Sequence, residues 1–457
     1  MSDVLGADSV GVLARLADDL GRVRRLDLPE SVEHEALRAL LNIVGPAVAS
    51  SSATSVEQVL TLQQGLGRAV IVPGRSQRYG LYLAAIGTGM AAHLDDFDDT
   101  HLESGNMHVG SVALAATLGI ADVHGVSGRQ FLIAFALTCE TLIRLGLALA
   151  PSHHGEGWQP SSTCGPIAAA AGVGLLLGLD TAQMTSALAL GSTRMLGQRE
   201  ALGTAAKSFH AGKAAANGLV SATMAARGLS ASASVFEGAQ GVGAVLSQGV
   251  QPTPLLEGFG REWHLLSNTY KAYPCGVVAH PGIDIALFLS PSVGDLSRVT
   301  AITYECHPLV KELMDRPEPS SGLEARFSAQ HVVSAALARG ELTLAELSDE
   351  MVQSPPVQQL RSLVRLDPNG GFDREEAALT VHMDDGHRLY HRLRGPRGSV
   401  TRPLTDEELK QKTARLAEPI LRRGGEEIAA AVFGLPQAAS VGALLVALTP
   451  KPLTASR

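Results

Sequence analysis

The sequence is short of aromatic residues, of charge and of cysteine. Phe, Trp and Tyr make up 4% of its 457 residues, so the interior must be built mainly from Ala, Leu, Val and Gly. Charged residues are 18%, below the roughly 25% of an average globular chain, which excludes a solvated, disordered polymer. Lys and Arg number 37 against 45 Asp and Glu, a net charge of −8. A phosphate-backbone binder carries a basic excess, so no nucleic-acid partner is expected. An anionic small molecule stays compatible, because local charge decides its binding. The four cysteines, Cys139, Cys164, Cys275 and Cys306, form no C-x-x-C pair and give no disulfide framework. No apolar signal segment occupies the first 25 residues, so a reducing, cytoplasmic location is expected. The longest uncharged apolar stretch, residues 164–179, is shorter than the roughly 20 residues that span a bilayer. It reads as a buried helix, and no membrane partner is expected.

What the chain does have is length, 48 glycines and 45% hydrophobic residues. At roughly 150 residues per domain the length allows about three domains or two larger ones. Helical spacing of apolar residues predicts helices over 31–50, 87–99, 109–118, 129–150, 164–179, 181–195, 207–227 and 234–247. After Pro274 the texture changes. Alternation and β-branched residues predict strands over 299–305, 357–367 and 377–383, with 384–387 turning into a return strand over 388–393. A helix is predicted over 329–339 between them. Thr405 followed by Glu408 reads as a capping box opening a further helix, and the last seven residues read as frayed. The fold class is therefore mainly α with an α+β second domain. Residues 1–275 plus 405–457 form a large helical domain, and 276–404 a small α+β domain.

Chemistry concentrates in four places. Residues 93–101 run His-Leu-Asp-Asp-Phe-Asp-Asp-Thr-His, with four carboxylates in five residues. A helix C-terminus disfavours anions, so one reading is a solvated loop. A second is a Mg²⁺-diphosphate site on Asp95-Asp96-x-x-Asp99, which needs a second acidic motif and an aromatic-lined cavity that this sequence does not supply. A third puts Asp96 and Thr100, four apart, on one side of a helical turn, with His108 following between glycines. Downstream, Lys207 opens a small-residue helix that carries His210, and His280 follows Tyr273-Pro-Cys275 in apolar surroundings. Taken singly, Lys207 reads as a surface lysine and His280 as a core histidine.

Together and in this order, these segments resemble the MmgE/PrpD family. The resemblance rests on residues 96–100 and His108, on Lys207-x-x-His210-Ala-Gly212, and on Tyr273-Pro-Cys275 with His280. Weaker echoes occur at Arg316-Pro317, at 325–328 and at 395–410. The family includes 2-methylcitrate dehydratases, cis-aconitate decarboxylases and iminodisuccinate epimerases. The resemblance implies a large helical domain, a smaller α+β lid domain and an active site in the cleft between them. It implies a homodimer that uses no organic cofactor and no metal, and a small di- or tricarboxylate substrate. Dehydration of a 2-methylcitrate-like substrate is the first expectation, with decarboxylation or epimerisation behind it. A family member that kept the fold but lost turnover is the non-enzymatic alternative.

By the same resemblance His108, Lys207, Asp96 and His280 are the expected catalytic residues. Thr100, Gln159 and His210 are expected to bind substrate. His108 would move the proton, since histidine's ordinary pKa of about 6.5 suits both directions of transfer. Lys207 would clamp a carboxylate, Asp96 would orient a donor or act as base, and His280 would be the second acid or base. One position departs from the pattern: Gln159 stands in Gly157-Trp-Gln-Pro160 where many relatives have histidine. Glutamine hydrogen-bonds but does not titrate. His153 and His154 lie near it in sequence.

Overall fold

Small residues set how closely the helices approach one another. The computed structural model describes residues 11–62, 69–149 and 152–452. Its first apolar core gathers side chains from residues 12–270 and 404–448, and its second gathers residues 273–381. The larger part is helical. Pro160–Leu177 lies at its centre, packed against Val109–His124, Gly128–Leu149, Thr181–Ser192 and Ala205–Ala226. Ala205–Ala226 also lies along Leu81–Leu94. There a Cβ on Gly212 would sit 2.2 Å from the Ile86 carbonyl oxygen, so only glycine allows that approach. Gly128–Leu149 and Pro160–Leu177 are long and apolar enough to cross a membrane, yet both are enclosed by the protein. Gly128–Leu149 also buries an ion pair, Arg144 to Glu140 at 2.6 Å, with Arg144 donating to the carbonyls of Pro254, Glu257 and Glu262.

The smaller part is a four-stranded sheet in the order Val364–Pro368, Val299–Cys306, Glu376–Met383, Arg388–Arg394. The first pair is parallel and the other two are antiparallel. Helices His280–Val293 and Ala329–Arg339 pack together, and His280–Val293 covers Glu376–Met383 and Arg388–Arg394. The chain then returns to the helical part through Asp406–Leu421, which lies along Glu30–Ala49. The expected capping box is present in both directions: Glu408 N donates to Thr405 Oγ1 at 3.2 Å and Thr405 N to Glu408 Oε2 at 2.8 Å.

Several expected elements differ. Residues 357–367 are not one strand but the end of helix Pro355–Leu363 followed by strand Val364–Pro368. Two prolines in the first turn favour a helix start, and Val357 and Leu360 bury one face of it. Of residues 234–247 only Val242–Leu246 is helical. The helix predicted over 87–99 is Leu81–Leu94 and ends before the acidic run. Asp96 has φ of 50°, and Asp99–Thr100 pairs antiparallel with Thr269–Tyr270. Asp96 and Thr100 therefore do not share a helical turn. Residues 453–457 of the expected frayed end lie outside the described residues.

Gly212→Ala tests the close helix approach. Alanine favours a helix interior by about 1 kcal/mol over glycine. Overpacking against the Ile86 carbonyl costs about 1–3 kcal/mol, so a net fall in the urea midpoint is expected. An unchanged or raised midpoint would contradict this packing.

Candidate functional site

A cleft opens between the two cores. The helical part contributes Asp96, Thr100, His108, Gln159, Lys207 and Lys271 to its lining. The α+β part faces them with an apolar wall of Val277, Val278, Leu313, Met314 and Phe327.

Asp96 sits in the turn after Leu81–Leu94, buried between two lysines. Lys207, from the first turn of Ala205–Ala226, bonds one of its oxygens, and Lys271 Nζ lies 2.7 Å from the other. Lys271 Nζ also donates to the Asp96 carbonyl at 3.0 Å. Burial resists ionisation of Asp96, but the two ammonium groups outweigh it and hold the carboxyl below its ordinary range. Burial pushes Lys207 down despite Asp96. It acts on Lys271 too, but there Asp96 and Asp98 together raise the ammonium above its ordinary value. Phe327 lies under Lys207, ring centroid 5.4 Å from Nζ.

His108 ends the loop just before Val109–His124, where Ser161 Oγ accepts from its backbone N–H at 2.8 Å. Its Nδ1 is 3.1 Å from Asp98 Oδ1 and 2.9 Å from the Asp99 carbonyl oxygen. Asp98 is fully buried, and its second oxygen is 2.6 Å from His93 Nδ1. Thr100 presents a buried hydroxyl with no partner among the described residues. Gln159 caps helix Pro160–Leu177, its Oε1 accepting from Ser162 N at 2.6 Å. That bond turns its NH₂ away from the helix end.

Five of the seven expected site residues thus line one cleft. His280 and His210 do not. His280 opens helix His280–Val293, fully buried, its Nε2 with no partner among the described residues and its ring edge-on to Tyr273 at 5.2 Å. It feels the charges of Lys271 and Asp96 without joining the lining. His210 is buried one turn beyond Lys207, its Nδ1 with no partner among the described residues.

The sequence reading missed Lys271, Asp98 and His93. Lys271 stands two residues before Tyr273, but one lysine there is indistinguishable in sequence from a surface lysine. Asp98 and His93 lie in the acidic run, where only the fold tells which carboxylate meets which imidazole.

His93, Asp96, Asp98 and His108 each bring one potential metal-ligand atom within 4.8 Å of the others. A divalent cation there would have to displace the two ammonium groups from Asp96 and both imidazoles from Asp98. The diphosphate-site spacing also fails in space. Asp95 faces Ser50 and Arg326, and Asp99 accepts from Gly110 N and Asn268 Nδ2. The three aspartates do not converge on one face.

A model described as the MmgE/PrpD N-terminal domain matches residues 14–255, and one described as the MmgE/PrpD C-terminal domain matches residues 273–433. A Mus musculus protein named cis-aconitate decarboxylase is 26% identical over 354 residues, spanning 74% of this chain and 72% of its own length. The Homo sapiens protein of the same name is 26% identical over 353 residues, 74% and 73% of the two chains. One from Aspergillus terreus is 24% identical over 410 residues, 82% of each.

The buried imidazoles make stability depend on pH. Burial lowers His93 and His280 to about 3, and His101, His154, His210 and His331 to about 4. Their folded pKa values lie below the unfolded value of about 6.5, so on acidification the unfolded chain takes up protons that the native state refuses. Stability should fall as pH drops from 6.5 toward 4. Asp99, raised to about 6 by burial and Asp98, opposes this by one proton. Urea midpoints between pH 7 and 4.5 check the sign, and a flat or rising midpoint on acidification would contradict it.

Proposed function

The chain belongs to the MmgE/PrpD family, and we propose that it is a cofactor-independent lyase that removes CO₂ from a small tricarboxylate of the cis-aconitate type. One observation carries this reading. Two buried lysines share a single carboxylate, Asp96, beside His108, and all four face an apolar wall across the cleft. A polycarboxylate needs cations and donors for the carboxylates it keeps, and Lys207, Lys271, the Thr100 hydroxyl and the Gln159 amide offer them. The carboxylate that leaves does so as a neutral, apolar molecule, and Val277, Leu313, Met314 and Phe327 suit that change by excluding water.

The step balances simply. The carbon–carbon bond to the departing carboxylate breaks, its electron pair passes into the adjoining unsaturated system, and one carbon takes a proton. Only one proton donor is required, and His108 occupies that place. Dehydration, the first expectation from the sequence, needs a base for carbon and an acid for the departing hydroxyl. Gln159, where many relatives have histidine, does not titrate, and His280 lies off the cleft, so a second acid or base would have to come from Asp96, His154 or a lysine. The names of the similar proteins favour decarboxylation as well.

Proton NMR in D₂O tests the reading. With cis-aconitate, the expected result is new vinyl signals from a five-carbon dicarboxylate, carrying deuterium at one carbon, with 2-methylcitrate left unchanged. His108→Ala should lower kcat about 10²–10⁴-fold. Loss of water from 2-methylcitrate, with cis-aconitate untouched, would contradict decarboxylation. Near-normal kcat in His108→Ala would remove the proton-transfer role.

A further inference from the structure

We propose that Asp98 and His93 are positioning residues for His108, a buried carboxylate shared by two imidazoles that fixes which nitrogen of His108 meets the substrate. The geometry stands on its own, while its consequence for turnover rests on the reading of His108 as proton donor.

Ionised Asp98 only accepts hydrogen bonds, and so does the Asp99 carbonyl. Both lie within bonding distance of one atom, His108 Nδ1, at 3.1 and 2.9 Å. That nitrogen must therefore carry a hydrogen. In the neutral ring Nε2 then holds the lone pair, and it is the nitrogen left for the cleft that His108 lines. A proton taken by Nε2 produces an imidazolium directly beside a fully buried carboxylate, which stabilises it. The same nitrogen can then return the proton to a carbanion.

His93 explains why the carboxylate stays oriented. Asp98 Oδ2 accepts from His93 Nδ1 at 2.6 Å, so the carboxylate cannot turn without breaking a buried bond. Both rings of the pair are accounted for. The His93 ring lies 4.3 Å from that of His108, tilted by 58°, and its Nε2 is buried with no partner among the described residues. His93 has no access to substrate and serves only the carboxylate. Lys271 Nζ, 3.7 Å from Asp98 Oδ1, adds charge on the same side but leaves Oδ2 to His93. Burying two imidazoles and an ionised carboxylate together is costly, and a single lysine would neutralise the charge. The arrangement goes beyond neutralisation in that it dictates a tautomer.

The test reads that tautomer by long-range ¹H–¹⁵N correlation on ¹⁵N-histidine-labelled full-length protein, with His108 assigned by its loss in His108→Gln. Wild type should show His108 protonated at Nδ1. Asp98→Asn leaves the Asp99 carbonyl to accept from Nδ1 but removes the charge that stabilises the imidazolium, so it should lower kcat about 10²-fold or more, with KM changed far less. His93→Phe keeps an aromatic ring there and removes the bond to Oδ2. It should broaden the His108 signals and lower kcat by a smaller factor, and it carries the test if Asp98→Asn does not fold. Wild-type His108 protonated at Nε2, or a folded variant with kcat unchanged, would overturn the proposal. If wild type leaves cis-aconitate untouched, the decarboxylase reading fails, while the wild-type tautomer still decides this one.

Discussion

Everything in the site depends on how four neighbouring carboxylates are neutralised without water. Residues 95–99 leave the C-terminal end of Leu81–Leu94, where the helix dipole opposes anions, and turn back into the protein. Each carboxylate then takes a different partner. Arg326, from the α+β part, reaches Asp95 at 2.7 Å. Lys207 and Lys271 enclose Asp96, and His93 and His108 enclose Asp98. Gly110 N and Asn268 Nδ2 serve Asp99 at 3.0 and 2.6 Å. The loop is satisfied only when segments more than 200 residues apart in sequence have come together. Satisfying it also assembles the cleft, because Lys207, Lys271 and His108 line that cleft.

Such a cluster is a poor way to gain stability. Each buried ion loses several kcal/mol of hydration, and its partners only roughly restore it. Removing one partner is different, because it strands a charge. The same logic reaches the C-terminal helix. Lys412 Nζ donates to Asn42 Oδ1, to the Phe97 carbonyl and to the Lys271 carbonyl at 2.7–2.9 Å. It thus braces the backbone on both sides of Asp96 with neutral acceptors, and burial lowers its ammonium to about 7. The return of residues 406–421 to the helical part therefore supports the loop as well as the core.

Much of this was legible in the sequence. Apolar spacing places the core helices to within a few residues, Thr405 and Glu408 mark a helix start, and residues 384–387 mark a hairpin. Family resemblance picked out Asp96, Thr100, His108, Gln159 and Lys207, which share one cleft. Where reading failed, the missing information was spatial. Helical periodicity carried the helix of residues 81–94 too far, because an acidic run does not announce whether it is solvated or buried. Val, Leu and Arg in 357–367 satisfy strand and helix templates alike over so short a window. His280 and His210 look like site residues by motif, yet their rings sit beside the cleft rather than in it. Lys271 shows the opposite error: nothing in one sequence marks a lysine whose charge will be enclosed.

Asp96 and Lys271 act as a coupled, buried unit. A double-mutant cycle in urea unfolding, with Asp96→Asn, Lys271→Met and both together, measures it. Asp96→Asn strands two ammonium groups and should cost about 3–5 kcal/mol, while Lys271→Met leaves Asp96 paired with Lys207 and should cost less. The double variant should cost less than the sum by more than about 1 kcal/mol. Costs that add to within about 0.5 kcal/mol would contradict the account, because the two groups would then not depend on each other.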